Sequence, residues 1–270
     1  MVSTPLLEAS GGGYTLRSVP LGRRRCPSVR FAEQITGPRC TGFLVRPRLL
    51  ATAAHCIKEE ADCSGVRWVF GYALAAKGDA SYTALRAEQV YSCRRVAARR
   101  YEGFGAVDYA LIELDRAVPG RPPLALELEF GPALGAPVAL LGHPNGLPLK
   151  VADSASVLRN DEPRSFDTDL DAFQGNSGSP VFDAASRKVI GIVSHGHADN
   201  VREGSCKVPR VCKPGDGCYL DTASGTWNMK ADLEALGTAA EGPSAKALDL
   251  AAPEELTERL ARLRSALDGR

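Results

Sequence analysis

Three short segments hold residue types that could carry out acyl transfer. Ser177 lies in Gln174-Gly-Asn-Ser-Gly-Ser-Pro180, between glycines at 175 and 178. A serine hydroxyl becomes a useful nucleophile only when a neighbouring base takes its proton. The reaction also needs backbone N–H groups aimed at the developing oxyanion, and glycines permit the tight backbone that presents them. Alone, Gly-Asn-Ser-Gly would suit any tight turn, because those residues dominate turns for conformational reasons. His55, in Leu50-Ala-Thr-Ala-Ala-His-Cys56, could supply the base, since an imidazole takes and returns a proton near neutral pH. Asp108, heading Asp108-Tyr-Ala-Leu-Ile-Glu-Leu114, could fix the imidazole tautomer and stabilise the imidazolium. Each residue alone also has a structural explanation: a core histidine, a strand-end aspartate, a turn serine.

The elements that must position these groups are short and β-rich. Apolar and β-branched runs occur at Thr41–Val45, Leu49–Ala54, Val66–Leu74, Ala87–Cys93, Tyr109–Asp115, Pro137–Gly142, Lys150–Leu158, Ser165–Leu170, Ser179–Phe182 and Val189–Ser194. Gly, Pro, Asn and Asp punctuate the gaps, which predicts an all-β barrel or sandwich and not βαβ units. The Pro- and Gly-rich stretch from Arg116 to Pro137 suits a linker between two halves. Near the end, Pro253–Asp268 predicts a helix, with Glu254, Glu255 and Glu258 toward its positive end and Arg262 and Arg264 toward its negative end. Leu256, Leu260, Leu263 and Leu267 form one apolar stripe, expected to pack on the protein's own barrel.

The 270 residues are 44% hydrophobic and 24% charged, with 33 basic and 32 acidic side chains and a formal charge of +1. That balance gives no electrostatic footprint for nucleic acid. No run approaches the roughly eighteen apolar residues of a membrane span, and the first residues do not read as a secretory signal. Eight cysteines, mostly isolated along the chain, resemble a disulfide framework and point to a secreted or periplasmic protein.

Taken together, the three segments resemble the trypsin/chymotrypsin family of serine proteases. The order His, Asp, Ser is the one the family uses. Thr52-Ala-Ala-His-Cys56, Val107-Asp-Tyr-Ala-Leu-Ile112 and Gly175-Asn-Ser-Gly-Ser-Pro180 match its three motifs. The resemblance spans roughly residues 39–196. It implies two six-stranded antiparallel β-barrels with the active site between them. The expected layout is an N-terminal extension (1–25), a first barrel (26–118) with His55 and Asp108, a second barrel (119–228) with Ser177, and a C-terminal helical tail (229–270). It further implies an oxyanion hole from the Gly175 and Ser177 N–H groups, a Cys40–Cys56 disulfide, and substrate pairing along Ser194-His195-Gly196. The activity implied is peptide-bond hydrolysis by a monomer acting on polypeptides, with no cofactor or metal. Two alternatives are a protease-fold binding protein without turnover and an esterase using the same triad.

The chain also departs from the family pattern. Asn176 stands where trypsin-type enzymes carry an aspartate that receives a new N-terminus, so activation through that ion pair is not expected. Gly175-Asn-Ser-Gly-Ser-Pro180 is similar to bacterial branches that include glutamyl endopeptidase-like enzymes. Asp171, six residues before Ser177, has the offset of the trypsin pocket's aspartate and would favour Lys or Arg before the cut bond. His195 offers a rival preference for an acidic residue. His195 and His197 form an H-x-H pair, but the spacing of Cys206, Cys212 and Cys218 fits zinc poorly, and disulfides are the expected use of these cysteines. Cys63 with Cys93, and Cys26 with a partner in the 206–218 loop, are candidate bridges that the sequence leaves open. Arg23-Arg24-Arg25 reads as solvated surface or a processing site, and His143 as a turn residue.

Overall fold

The computed structural model describes residues 1–103, 106–196, 199–210 and 220–237. Two six-stranded antiparallel sheets dominate it. The first runs in the spatial order Val2–Ser3, Val66–Val69, Val90–Tyr101, Asp108–Leu114, Leu49–Thr52, Phe43–Arg46. The second is a closed barrel of Pro137–Gly142, Lys150–Arg159, Ser165–Thr168, Asp221–Gly225, Val189–His195 and Pro180–Asp183. The expectation of two closed barrels is therefore met by one barrel and one half-barrel. The half-barrel ends on a two-residue strand, Val2–Ser3, which offers few backbone groups for closure.

Asp108–Leu114 is central in the first sheet, paired with Val90–Tyr101 on one side and Leu49–Thr52 on the other. Leu111, Ile112 and Leu114 are fully buried, so both faces of this strand are covered. Around it pack Leu44, Leu50, Trp68 and Tyr91, joined by Val189, Ile192 and Met229 from the second half. The barrel interior is filled by Val138, Leu140, Val157, Phe166, Val181 and Ile190. Complete burial of one such aliphatic side chain is worth about 1.5–3 kcal/mol, so the shared cluster docks the two halves.

The first 16 residues run along the first half. After the edge strand, Leu7–Ser10 and Gly13–Leu16 form a hairpin that extends to Ala84–Arg86 as a three-stranded sheet. Gly11 and Gly12 at its tip both have positive φ, which glycine adopts without strain. A short helix, Lys230–Gly237, follows the last barrel strand and docks on the first sheet. Asp232 on this helix takes the Tyr109 hydroxyl at 2.8 Å and an ion pair from Arg100 at 3.0 Å. The Pro253–Asp268 helix expected from sequence lies outside the described residues.

Among the described residues there are three disulfides: Cys26–Cys206, Cys40–Cys56 and Cys63–Cys93. Cys212 and Cys218 lie outside the described residues, as does His197 of the H-x-H pair. Among the described residues, no helix is long and apolar enough to cross a membrane.

Candidate active site

His55 sits on the 3-10 turn Ala54–Cys56 that ends the Leu49–Thr52 strand. The Cys56 N–H closes this turn on the Ala53 carbonyl at 3.1 Å, turning the imidazole toward the start of the neighbouring strand. There His55 Nδ1 lies 2.7 Å from Asp108 Oδ2, and the His55 backbone N–H donates to Asp108 Oδ1 at 3.0 Å. A carboxylate only accepts, so Nδ1 carries the proton and Nε2 is left as an acceptor. The imidazole keeps 25% of its surface exposed, whereas Asp108 has none.

The carboxylate of Asp108 is completed from the second half. Ser194, itself buried, donates its hydroxyl to Asp108 Oδ2 at 2.7 Å. The Asp108 N–H in turn donates to Ser224 Oγ at 3.1 Å. Burial alone would raise the Asp108 pKa. The hydrogen bonds and charge of His55, with the Ser194 hydroxyl, outweigh it and hold the carboxyl below its ordinary value.

Ser177 is fixed by its backbone. Its carbonyl accepts the Thr41 N–H at 2.8 Å and lies 3.8 Å from Cys56 Sγ, one residue beyond His55. The Thr41 hydroxyl donates to the Gly175 carbonyl at 2.9 Å, and the Gly178 N–H to the Val193 carbonyl at 2.8 Å. Gly175 and Gly178 have φ of 102° and 85°. A Cβ at 175 would run into the His143 carbonyl, and one at 178 into Thr41 and Thr52. Among the described residues, neither the Gly175 nor the Ser177 N–H has an acceptor, so both are available to a ligand.

The Cys40 and Cys56 sulfurs and a ring nitrogen of His55 lie within 4.8 Å of one another. The sulfurs are bonded to each other, so neither can act as a thiolate ligand, and the group is not a metal centre. His143 is a half-buried turn residue whose Nδ1 donates to the Leu147 carbonyl at 2.9 Å, with its pKa pushed by desolvation down to about 4.

Around the specificity region, the structure brings together more than the sequence reading named. Ser194, His195 and Gly196 end the Val189–His195 strand and its continuation. Asp171 is exposed at its surface, and partial burial holds its carboxyl above the ordinary value, with Arg30 acting in the opposite direction. Asp199 and Asp221 share this region and escaped the sequence reading. So did Thr41 and Ser224, whose short polar side chains give no periodic or motif signal.

A family model described as "Trypsin-like peptidase domain" matches residues 40–192, more than half of the chain. Among solved structures, a Glu endopeptidase is 16% identical with a TM-score of 0.51, over 74% of this chain and 85% of the other. The active form of the Rv3671c protease from M. tuberculosis is 18% identical with a TM-score of 0.48, over 84% of this chain and 81% of the other. No curated protein sequence matches the chain. The likeness to the Glu endopeptidase shows a chymotrypsin-like fold.

Proposed function

The chain belongs to the trypsin-like peptidase domain family, and from that premise we propose that it is a serine endopeptidase with His55, Asp108 and Ser177 as its triad. In this mechanism Ser177 Oγ attacks the scissile carbonyl while His55 Nε2 takes its proton. The Gly175 and Ser177 N–H groups receive the oxyanion, and Asp108 stabilises the imidazolium that forms. His55 then protonates the leaving amine. A water molecule, deprotonated by the same nitrogen, hydrolyses the acyl-enzyme and restores the Ser177 hydroxyl. No cofactor takes part, and the substrate is a polypeptide bound to a monomer. The disulfides among the described residues support an oxidising compartment, extracellular or periplasmic.

The observation that carries this reading is the 2.7 Å pairing of His55 Nδ1 with Asp108, which leaves Nε2 in the accepting state. The test is labelling of the folded, disulfide-bonded protein with a fluorophosphonate. One label per chain is expected on Ser177, with none in Ser177→Ala and a loss of roughly 10⁶-fold in peptide turnover. A folded protein that takes no label refutes the proposal. Turnover of simple esters with no cleavage of any peptide would favour the esterase alternative.

A further inference from the structure

Asp221 begins the barrel strand Asp221–Gly225, between Ser165–Thr168 and Val189–His195. Its Oδ2 accepts the Ala172 N–H at 3.2 Å, five residues ahead of Ser177. Its Oδ1 lies so close to Gly196 that any Cβ there would collide with it. Gly196 is two residues beyond Ser194, whose hydroxyl binds Asp108. The Asp221 carboxylate is thus bracketed by the segment leading into the candidate nucleophile and the strand leading away from the triad carboxylate. On the serine-peptidase reading, the substrate side chain next to the cut bond lies between those two segments.

Burial is the largest influence on this carboxyl. The Ala172 N–H opposes it, the charges of Asp199, Asp171 and Asp167 reinforce it, and the pKa is pushed up to about 7. The surrounding charges are not equivalent. Asp167 is committed to an ion pair with Arg159 and accepts the Thr222 hydroxyl. Asp199 accepts the Gln174 N–H at 2.6 Å and feels Arg25, while Asp171 feels Arg30. His195 pairs with Thr222 in the adjoining strand. Among the described residues, no cationic side chain is paired with Asp221. Among the described residues, this half-buried acid, with three like charges around it, lacks a cation of its own.

We propose that Asp221 selects a cationic side chain, Lys or Arg, in the substrate residue just before the cut bond, with Asp171 and Asp199 strengthening the negative field. The assignment rests on the serine-peptidase reading above. It moves the main determinant from Asp171, the position singled out by sequence offset, to a residue on a different strand. It also disfavours an acidic residue there, which would meet three carboxylates at once.

The test uses the full chain and peptides identical except for Arg, Lys, Gln or Glu before the cut bond. The expected preference is Arg or Lys over Gln, with Glu poorest. In Asp221→Asn the ratio of kcat/KM for Arg over Gln should fall about 100-fold, as when one partner of a buried charge pair is removed. Asp171→Asn and Asp199→Asn should lower that ratio by less than about 10-fold, as more exposed charges do. Benzamidine binding to the Ser177→Ala protein, measured by calorimetry, supplies a readout independent of turnover and should weaken with the added Asp221→Asn change. A preference for Glu, an unchanged ratio in Asp221→Asn, or a larger effect at Asp171 overturns the assignment. If the protein takes no fluorophosphonate yet loses benzamidine with Asp221→Asn, the serine-peptidase reading falls while the cation pocket stands.

Discussion

Asp221→Asn should make the protein more stable at neutral pH while impairing substrate choice. In the native state the carboxyl is held near pH 7, against an ordinary 3.8, by burial and by Asp199, Asp171 and Asp167. The native protein therefore keeps this proton over a range where the unfolded chain has lost it. Stability from this group is full below about pH 4, declines as pH rises, and levels off above about pH 7. Three units at about 1.36 kcal/mol each set a ceiling near 4 kcal/mol. Partial exposure of the pocket reduces that to about 1–3 kcal/mol. Asparagine has nearly the same shape, and its amide oxygen can still accept the Ala172 N–H, but it never ionises. Its removal of a charge also relieves Asp171 and Asp199, which acts in the same direction. The assay is urea unfolding followed by tryptophan fluorescence, in a Ser177→Ala background to prevent self-cleavage, at steps from about pH 4 to 8. The variant should match its parent at about pH 4 and exceed it by about 1–3 kcal/mol at about pH 8, a rise of roughly 2–10 °C in Tm for a chain of this size. A difference that does not grow with pH, or one that favours aspartate at neutral pH, would refute the reasoning.

Two further variants probe the frame around the site. Ser194→Ala takes one hydrogen bond from a wholly buried carboxylate and should cost about 1–3 kcal/mol in urea unfolding. It should lower kcat roughly 10-fold more than it changes KM, and shift the acid limb of the pH–rate profile upward, because Asp108 loses a bond that holds its carboxyl down. An unmoved acid limb would mean that Ser194 only fills space. Replacing Cys26 and Cys206 together by serine opens a link across 180 residues and should cost about 2–5 kcal/mol. Arg25, next to Cys26, bonds Asn200 and Asn145, and the Asn145 N–H holds the Gln174 carbonyl at 2.6 Å. Peptide turnover should therefore fall along with the urea midpoint. A loss of stability with full turnover would separate the arm from the site.

What could be read from the sequence followed from local constraint. Asp108-Tyr-Ala-Leu-Ile-Glu-Leu114 announces a buried strand through composition alone, and the His55 and Ser177 words are dense because turns, glycines and small residues leave few options. Asp221-Thr-Ala-Ser-Gly225 gives no such signal, yet it is a barrel strand. Its ladder comes from Ser165–Thr168 and Val189–His195 on either side, and its small residues make room for aromatic rings. A Cβ on Gly225 would strike Trp227, and one on Gly191 would strike Phe166. Missing that strand meant missing both Asp221 and Ser224. The strand expected at Ala87–Cys93 has other bounds, Val90–Tyr101. In the structure the strand continues to Tyr101, with Arg99 donating to the Ala54 and Ile57 carbonyls. Ala87–Gln89, read as the start of that strand, is a 3-10 turn instead, closed by the Gln89 side chain on the Arg86 N–H.

The placement of Asp108 ties docking of the two halves to the electrostatics of the site. Its carboxylate receives two bonds from His55 in its own half and one from Ser194 in the other, and its N–H reaches Ser224 in the other. Thr41 reciprocates by binding the carbonyls of Gly175 and Ser177 across the same seam. A buried carboxylate short of one donor loses stabilisation that no apolar contact can replace. The half-barrel alone could not hold Asp108 ionised at zero exposure, and the barrel alone would leave the Ser194 hydroxyl without its acceptor. Apolar packing of Val189, Ile192 and Met229 supplies the strength of the joint. The polar bonds at the cleft set its register, since a small slip would forfeit several of them at once.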